Sequence, residues 1–350
     1  MQARIGRVLA QPVVLAALGV VVIVLVLTTV DDFRSVQLTQ MAYLGIAAGG
    51  LTVLTGLNGQ ISLGHGALMA IGAYTTALLL QDDEPVLPLL GVLVVATVVT
   101  LVVGAAIGVA AARLHGPYLA GATLALAVAV PGIALYFGET LGGEQGLRVR
   151  VPDAPDWVLD AAYFVTGQDL TPSKYVAFLG WGVLVVTYLG LAHLSRGRVG
   201  RRWRAVRDDE VAAEVAGISL GRARVSAFVV SAAAAGAAGF VMALSVRLAA
   251  PSGYSLTLSL TLLTAVVLGG LGSLTGALLG AALLTFLPQV VTDAGVSAGL
   301  DDIRAAELAP LIYGLVLVAV ILLAPAGLVG SLRLAWHRPR RTTTSKGEPR

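Results

Sequence analysis

Ten stretches of the chain are long, apolar and free of Asp and Glu: 12–30, 36–56, 62–80, 86–112, 117–137, 174–194, 225–249, 257–272, 275–291 and 308–325. A helix needs about 20 such residues to cross the hydrocarbon core of a bilayer. No water is available there, so each backbone N–H and C=O must find its partner within a helix or a closed barrel. The predicted fold class is therefore all-α, a polytopic transmembrane helical bundle of about ten spans in the cell (inner or plasma) membrane. Charged residues make up 12% of the chain, about half the share of a soluble domain. The longest polar stretch, 138–173, is too short for a soluble catalytic domain. The run 12–30, preceded by Arg4 and Arg7, reads as an uncleaved first span, because Thr28-Thr29-Val30-Asp31 is a poor signal-peptide cleavage site.

Charge orders the spans. With residues 1–11 in the cytoplasm, Asp31-Asp32, Asp82-Asp83-Glu84, the acidic 138–173 segment and Asp293, Asp301 and Asp302 fall outside. Arg113, the Arg-dense loop 195–224 and the basic tail 331–350 fall inside, as the positive-inside rule requires. That assignment needs 257–291 to be two spans, and Gly269-Gly270-Leu271-Gly272-Ser273 supplies the interruption. The expected organisation is a cytoplasmic N-terminus at 1–11, a transmembrane domain at 12–330 and a cytoplasmic tail at 331–350. The tail reads as a disordered anchor to anionic membrane lipid.

The side chains exclude several function classes. Without an intramembrane carboxylate, the spans lack the usual carrier of a coupling proton, and a neutral or zwitterionic solute suits them better than a strongly charged one. Neither Lys174 nor Lys346 lies in a phosphate-binding GxxxxGK[ST] loop, so an ATPase would have to be a partner. The chain has no Cys and hence no thiolate metal site, and no metal or cofactor is expected. The net charge of +3 comes from Arg beside spans, where it sets topology and does not indicate nucleic acid.

The loop 195–224 carries more than topology needs. Its 208–216 segment has a helical pattern: Asp208, Asp209 and Glu210 stand in the first turn, favourable to the helix dipole. Val211, Val215 and Ile218 form an apolar stripe, and Gly217 is a stop signal. Arg202, Arg204, Arg207, Arg222 and Arg224 flank it. Two readings stand side by side: a solvated positive-inside loop, or a short amphipathic helix that lies at the interface or inserts into a partner.

Residues Arg204-Ala205-Val206-Arg207-Asp208-Asp209-Glu210, Ala212-Ala213-Glu214 and Gly217-Ile218 resemble the EAA-type coupling loop of ABC transporter permeases. They are closest to the loop of LivM-type branched-chain amino acid permeases. Four further segments are similar to that family: Gly59-Gln60-Ile61-Ser62-Leu63-Gly64-His65-Gly66-Ala67, Gly142-Gly143 with Gly146-Leu147, Leu268-Gly269-Gly270-Leu271-Gly272-Ser273, and Pro325-Ala326-Gly327-Leu328. The resemblance covers roughly 40–330. It implies a second, LivH-like permease subunit, two ATP-binding subunits and an extracytoplasmic solute-binding protein. It also implies ATPase coupling through Arg204, Arg207, Asp208, Asp209, Glu210, Glu214 and Gly217. A departure stands at Ser259-Leu260-Thr261, where the family often has an acidic residue. Leu, Ile and Val are the expected solutes, with urea or short amides as the alternative of the same architecture.

Gln60, Ser62, His65, Gly269, Gly270, Gly272 and Ser273 are the candidate path or helix-break residues. Ser62 and Ser273 each follow a glycine-rich break and read as helix N-caps, corresponding points of an internal repeat. Gln60 and His65 have two readings: a hydrogen bond in the path or gate, or a neutral group satisfying backbone at a break. Arg247 reads as snorkelling from the outer end of its span. An ATP-independent channel or carrier, and a non-transporting scaffold, are the readings from other classes.

Overall fold

The computed structural model describes residues 19, 21–82, 87–114, 116–167, 169–323 and 327–336. Its longer elements are helices: α1 (Asp32–Leu51), α2 (His65–Leu79), α3 (Leu89–Ala111), α4 (Pro117–Tyr136), α5 (Asp156–Thr166), α6 (Pro172–Arg196), α7 (Arg198–Asp208), α8 (Glu210–Val215), α9 (Leu220–Val246), α10 (Leu256–Gly269), α11 (Leu274–Ser297), α12 (Asp302–Leu323) and α13 (Gly327–Trp336). Among the described residues, seven helices are long and apolar enough to cross a membrane: Asp32–Leu57, Leu89–Ala111, Tyr118–Tyr136, Pro172–Arg196, Leu220–Val246, Pro251–Gly269 and Leu274–Ser297. The chain is an all-α multi-pass membrane protein.

Two helices form the centre. The apolar window of Asp32–Leu57 is 83% buried and that of Leu220–Val246 is 78%, against 22–39% for the other five. Composition explains the difference. Lipid tails are as apolar as Leu, so burial in a bilayer goes to helices whose small side chains allow close packing. The run Ser231–Gly239 contains only Ser, Ala and Gly, and α9 packs against α1, α2, α3 and α6. A Cβ on Gly72 would lie 2.5 Å from the Gly236 carbonyl oxygen, and one on Gly239 would lie 2.1 Å from that of Met69, so α2 and α9 cross backbone to backbone. The Val-rich α3 turns Val94, Val98 and Val102 outward.

Several boundaries differ from those read in the sequence. The expected span 62–80 is shorter, because α2 starts at His65 with Gly64 as its N-cap, and its 15 residues fall below the usual spanning length. Ser62 is not the cap: Ala67 and Leu68 donate instead to the Gly64 carbonyl. Ser273 does cap α11, accepting from Gly276 N at 3.1 Å. Span 225–249 begins earlier, at Leu220, so Arg222 and Arg224 belong to the helix and not to a flanking loop. The helix α13 runs to Trp336, past residue 331. Residues 12–18 and 20 of the first expected span, Pro325-Ala326 and the segment 337–350 lie outside the described residues.

On the opposite side of the bundle from the Arg-rich loop, the described residues of 138–173 form short helices, glycine turns and one strand. Gly142, Gly143 and Gly146 take positive φ, and Leu147–Arg148 pairs antiparallel with Leu248–Ala249. Arg247 is exposed, as a snorkelling residue would be. It also caps α9 in a left-handed conformation (φ 57°), and its carbonyl accepts from Val149 N at 3.0 Å.

Candidate functional site: a cytoplasmic-type loop joined to the helix breaks

The Arg-rich loop is a helix–corner–helix. Gly197 N-caps α7, and Arg204 Nη1 donates to the Ser195 carbonyl at 2.9 Å, closing the α6–α7 turn. Trp203 is fully buried beneath the loop and donates through Nε1 to Ser226 Oγ at 2.9 Å. Asp208 does not stand in the first turn of the amphipathic helix. It ends α7, and its exposed carboxylate accepts from Arg207 Nε and Nη2 at 2.9 and 2.7 Å. Asp209 is the corner: extended (φ −159°, ψ 111°), it N-caps α8 by accepting from Ala212 N at 3.0 Å. Glu210 opens α8 and Glu214 is exposed near its end. Gly217 then takes φ 80°, a left-handed conformation that favours glycine, and stops the helix. Val211 and Val215 are 73% and 85% exposed, so the apolar stripe of α8 faces away from the bundle.

Two polar links run from this loop into the transmembrane region. Arg207 Nη1 donates to the Gly56 carbonyl at 2.7 Å. Glu210 Oε1 meets Arg224 Nη2 at 2.6 Å, and Arg224, whose side chain is only 7% exposed, also donates to the Ala112 carbonyl at 3.2 Å. The Arg224 carbonyl in turn accepts from Gln60 Nε2 at 3.1 Å. Both links end at the interruption between α1 and α2. There α1 widens into a π-helical stretch, Thr52–Leu57, in which Asn58 N donates to Val53 O, and the chain runs irregularly to Gly64.

The second interruption touches the first. Gly270 (φ 112°) ends α10, and a Cβ on Gly56 would lie 2.3 Å from Gly272 N. A Cβ on Gly327 would lie 2.2 Å from Gly270 Cα, and one on Gly269 would lie 1.9 Å from Gly276 O. Only glycine permits backbone to stack on backbone this closely. Three glycine turns distant in sequence therefore meet at one point, with Arg207 on top of it.

Above that point lies a buried polar strip. Ser62 and His65 are 1% and 0% exposed, and Thr52 and Ser231 are also fully buried. Among the described residues, the hydroxyls of Thr52, Ser62 and Ser231 have no hydrogen-bond partner. The backbone of Ala47 faces the His65 imidazole. Gln60 bonds backbone at Arg224 and contacts Asn58 Oδ1 as well. His65 Nε2 and the Ser231 carbonyl both approach Gly50. Ser259, where the resemblance leads one to expect an acid, is fully buried and accepts from Gly66 N at 2.9 Å.

The structure thus brings Arg207, Glu210, Gln60, Gly270 and Gly272 into one assembly. Ser62 and His65 lie above it, Ser273 caps α11 at its edge, and Arg204, Asp208, Asp209, Glu214 and Gly217 shape the loop. Sequence reasoning missed Trp203, gave Arg224 only as a flanking arginine and met Ser259 only as a departure from the family pattern. A Trp amid six arginines was a signal for the first.

Comparison with known proteins agrees with this architecture. Residues 35–321 match the family model described as the permease component of branched-chain amino acid transport systems. The LivM permease of the high-affinity branched-chain amino acid transport system of Salmonella typhimurium is 32% identical over 85% of this chain and 71% of its own length. LivH of Escherichia coli is 26% identical over 80% and 89%. The autoinducer 2 import permease LsrC of Klebsiella pneumoniae is 31% identical over 67% and 64%. No solved structure matches the chain. The chain is a LivM-type member of the family of branched-chain amino acid transport permeases.

Proposed function

We propose that the chain is the membrane-spanning subunit of an ATP-driven importer for leucine, isoleucine and valine, worked by separate ATPase subunits through α8. The observation that carries this reading is the pair of links from the loop to the helix interruption, Arg207 to Gly56 and Glu210 to Arg224. A solvated topological loop has no need of either. The outward apolar stripe of α8, Val211 and Val215, offers a partner a docking face. Displacement of α8 pulls on α9 through Arg224 and on the α1–α2 interruption through Arg207. Rigid-body rocking of the bundle then opens the path to each side in turn. The buried hydroxyls of Thr52, Ser62 and Ser231 and the imidazole of His65 suit a zwitterionic solute, because they offer hydrogen bonds without net charge. Ten spans with both termini in the cytoplasm complete the proposal, together with a LivH-like permease, two ATPases and an extracytoplasmic solute-binding protein.

The test is the assembled importer in proteoliposomes with Glu210→Arg, which sets like charges at the Arg224 contact. Retained ATP hydrolysis with lost leucine uptake is expected. Undiminished uptake would remove the coupling role, and uptake by this chain alone without ATP would favour a channel or carrier.

A further inference from the structure

A second surface, unrelated to the helix interruptions, runs along the outside of α9. At the cytoplasmic-type loop a cavity of about 500 Å³ opens between α7 and the start of α9. Arg202 and Arg222 line it, with Trp203, Ser219 and Ser226. Both arginines are exposed, and among the described residues neither guanidinium has a carboxylate or hydrogen-bond partner. The N-cap of α9, Ser219, makes no side-chain capping bond, so the helix N-terminus adds its own positive end to the cavity.

The cavity continues along the helix. Arg222 and Ser226 also line a shallow depression with Val225, Val229 and Val230. Val229 and Val230 in turn line a groove of about 710 Å³ between α3, α6 and α9, walled by aliphatic side chains such as Leu93, Val183 and Leu191. Residues 222, 226, 229, 233 and 237 follow helical spacing, so they form one face of α9. From Arg222 to Ala237 the helix rises about 22 Å at 1.5 Å per residue. Half the full thickness of a bilayer, headgroups included, is about 20–22 Å. The site is therefore cationic at one end, predominantly aliphatic along the rest, and one leaflet long.

We infer that this surface holds an anionic phospholipid, its phosphate between Arg202 and Arg222 and an acyl chain in the groove beside Val229 and Ala233. Charge complementarity selects the headgroup and the aliphatic walls select the tail; a free anion would leave the groove unused. The inference does not depend on ATPase docking or transport. It gives the loop a lipid contact through the Arg222 turn, two residues from the Arg224 partner of Glu210.

The test uses the full chain in phosphatidylcholine nanodiscs doped with phosphatidylglycerol or phosphatidylcholine carrying an acyl-chain diazirine. Cross-linked peptides are mapped by mass spectrometry. A near-surface arginine is worth about fivefold in affinity for anionic lipid, so two predict about a thirtyfold preference for phosphatidylglycerol. Labelling is expected on 225–237. Arg202→Gln with Arg222→Gln, both at exposed positions, is expected to abolish the preference, and Ala233→Trp to move labelling out of the groove without removing the arginines. Equal labelling by the two lipids in the unmodified chain would overturn the proposal. So would loss of the preference in millimolar inorganic phosphate, which would mean a free-anion site. In the assembled importer, a cross-link from position 233 to a second permease subunit would place a protein helix there instead, and would likewise overturn it.

Discussion

Arg207→Gln isolates one of the two links between loop and bundle. The substitution removes the bond to the Gly56 carbonyl at 2.7 Å and the fork onto Asp208. A hydrogen bond from a charged donor contributes about 1.5–3 kcal/mol. The Arg207 side chain is 37% exposed, so solvent screens it and the low end applies, about 1.5 kcal/mol. That is about a tenfold shift in the ratio of linked to unlinked loop. ATP hydrolysis, which the proposed function places on other subunits, should change little. The assay measures leucine accumulated and ATP hydrolysed in the same proteoliposomes of the assembled importer, and solute moved per ATP should fall, with about tenfold as the upper bound, because the linked fraction cannot change by more than the ratio does. Arg207→Lys keeps a single charged donor and should recover part of the loss. An unchanged ratio in Arg207→Gln, with normal amounts of protein in the membrane, would refute the reasoning: the bond would then be structural and would carry no displacement.

Gly56→Ala should cost about 1–3 kcal/mol as overpacking, because the new Cβ meets Gly272 backbone at 2.3 Å. The thermal midpoint of the detergent-extracted protein should drop, whereas Gly121→Ala, with nothing within 4 Å, should leave it in place. Ser273→Ala should lose about 1 kcal/mol with the N-cap of α11, and Ser273→Asn should restore it. Ser62→Ala removes a buried hydroxyl that caps nothing, and its thermal midpoint should stay level or rise.

Much of this bundle could be read from hydropathy alone, because a bilayer forces apolar length and helical hydrogen bonding together. The break at 269–273 was also legible, since glycine in mid-run weakens a helix wherever it occurs. What escaped was non-local. Ser62 and Ser273 follow similar glycine-rich turns, yet only Ser273 caps, because Gly64 supplies the start of α2 and Leu63 N is held by Thr123 Oγ1, 60 residues away. Arg224 looked like another topological arginine. Its burial depends on Glu210 across the α8–α9 turn and on the Ala112 carbonyl at the end of α3. Asp208 was assigned to the wrong helix because three acids in a row fit a first turn equally well; the extended backbone at Asp209 decides the register. The meeting of the turns at Gly56, Gly270 and Gly327 joins positions over 200 residues apart, and no local pattern encodes it.

The crossing of α2 over α9 at Gly72, Gly236 and Gly239 has a mechanical corollary. Interlocked side chains resist rotation as meshed gears do, since each must climb out of its slot before the pair can turn. Two bare backbones have no teeth. Such a crossing can swivel with little rotamer exchange between the two helices, so atoms beside it travel the shortest arcs while those at the far ends of α2 and α9 travel the longest.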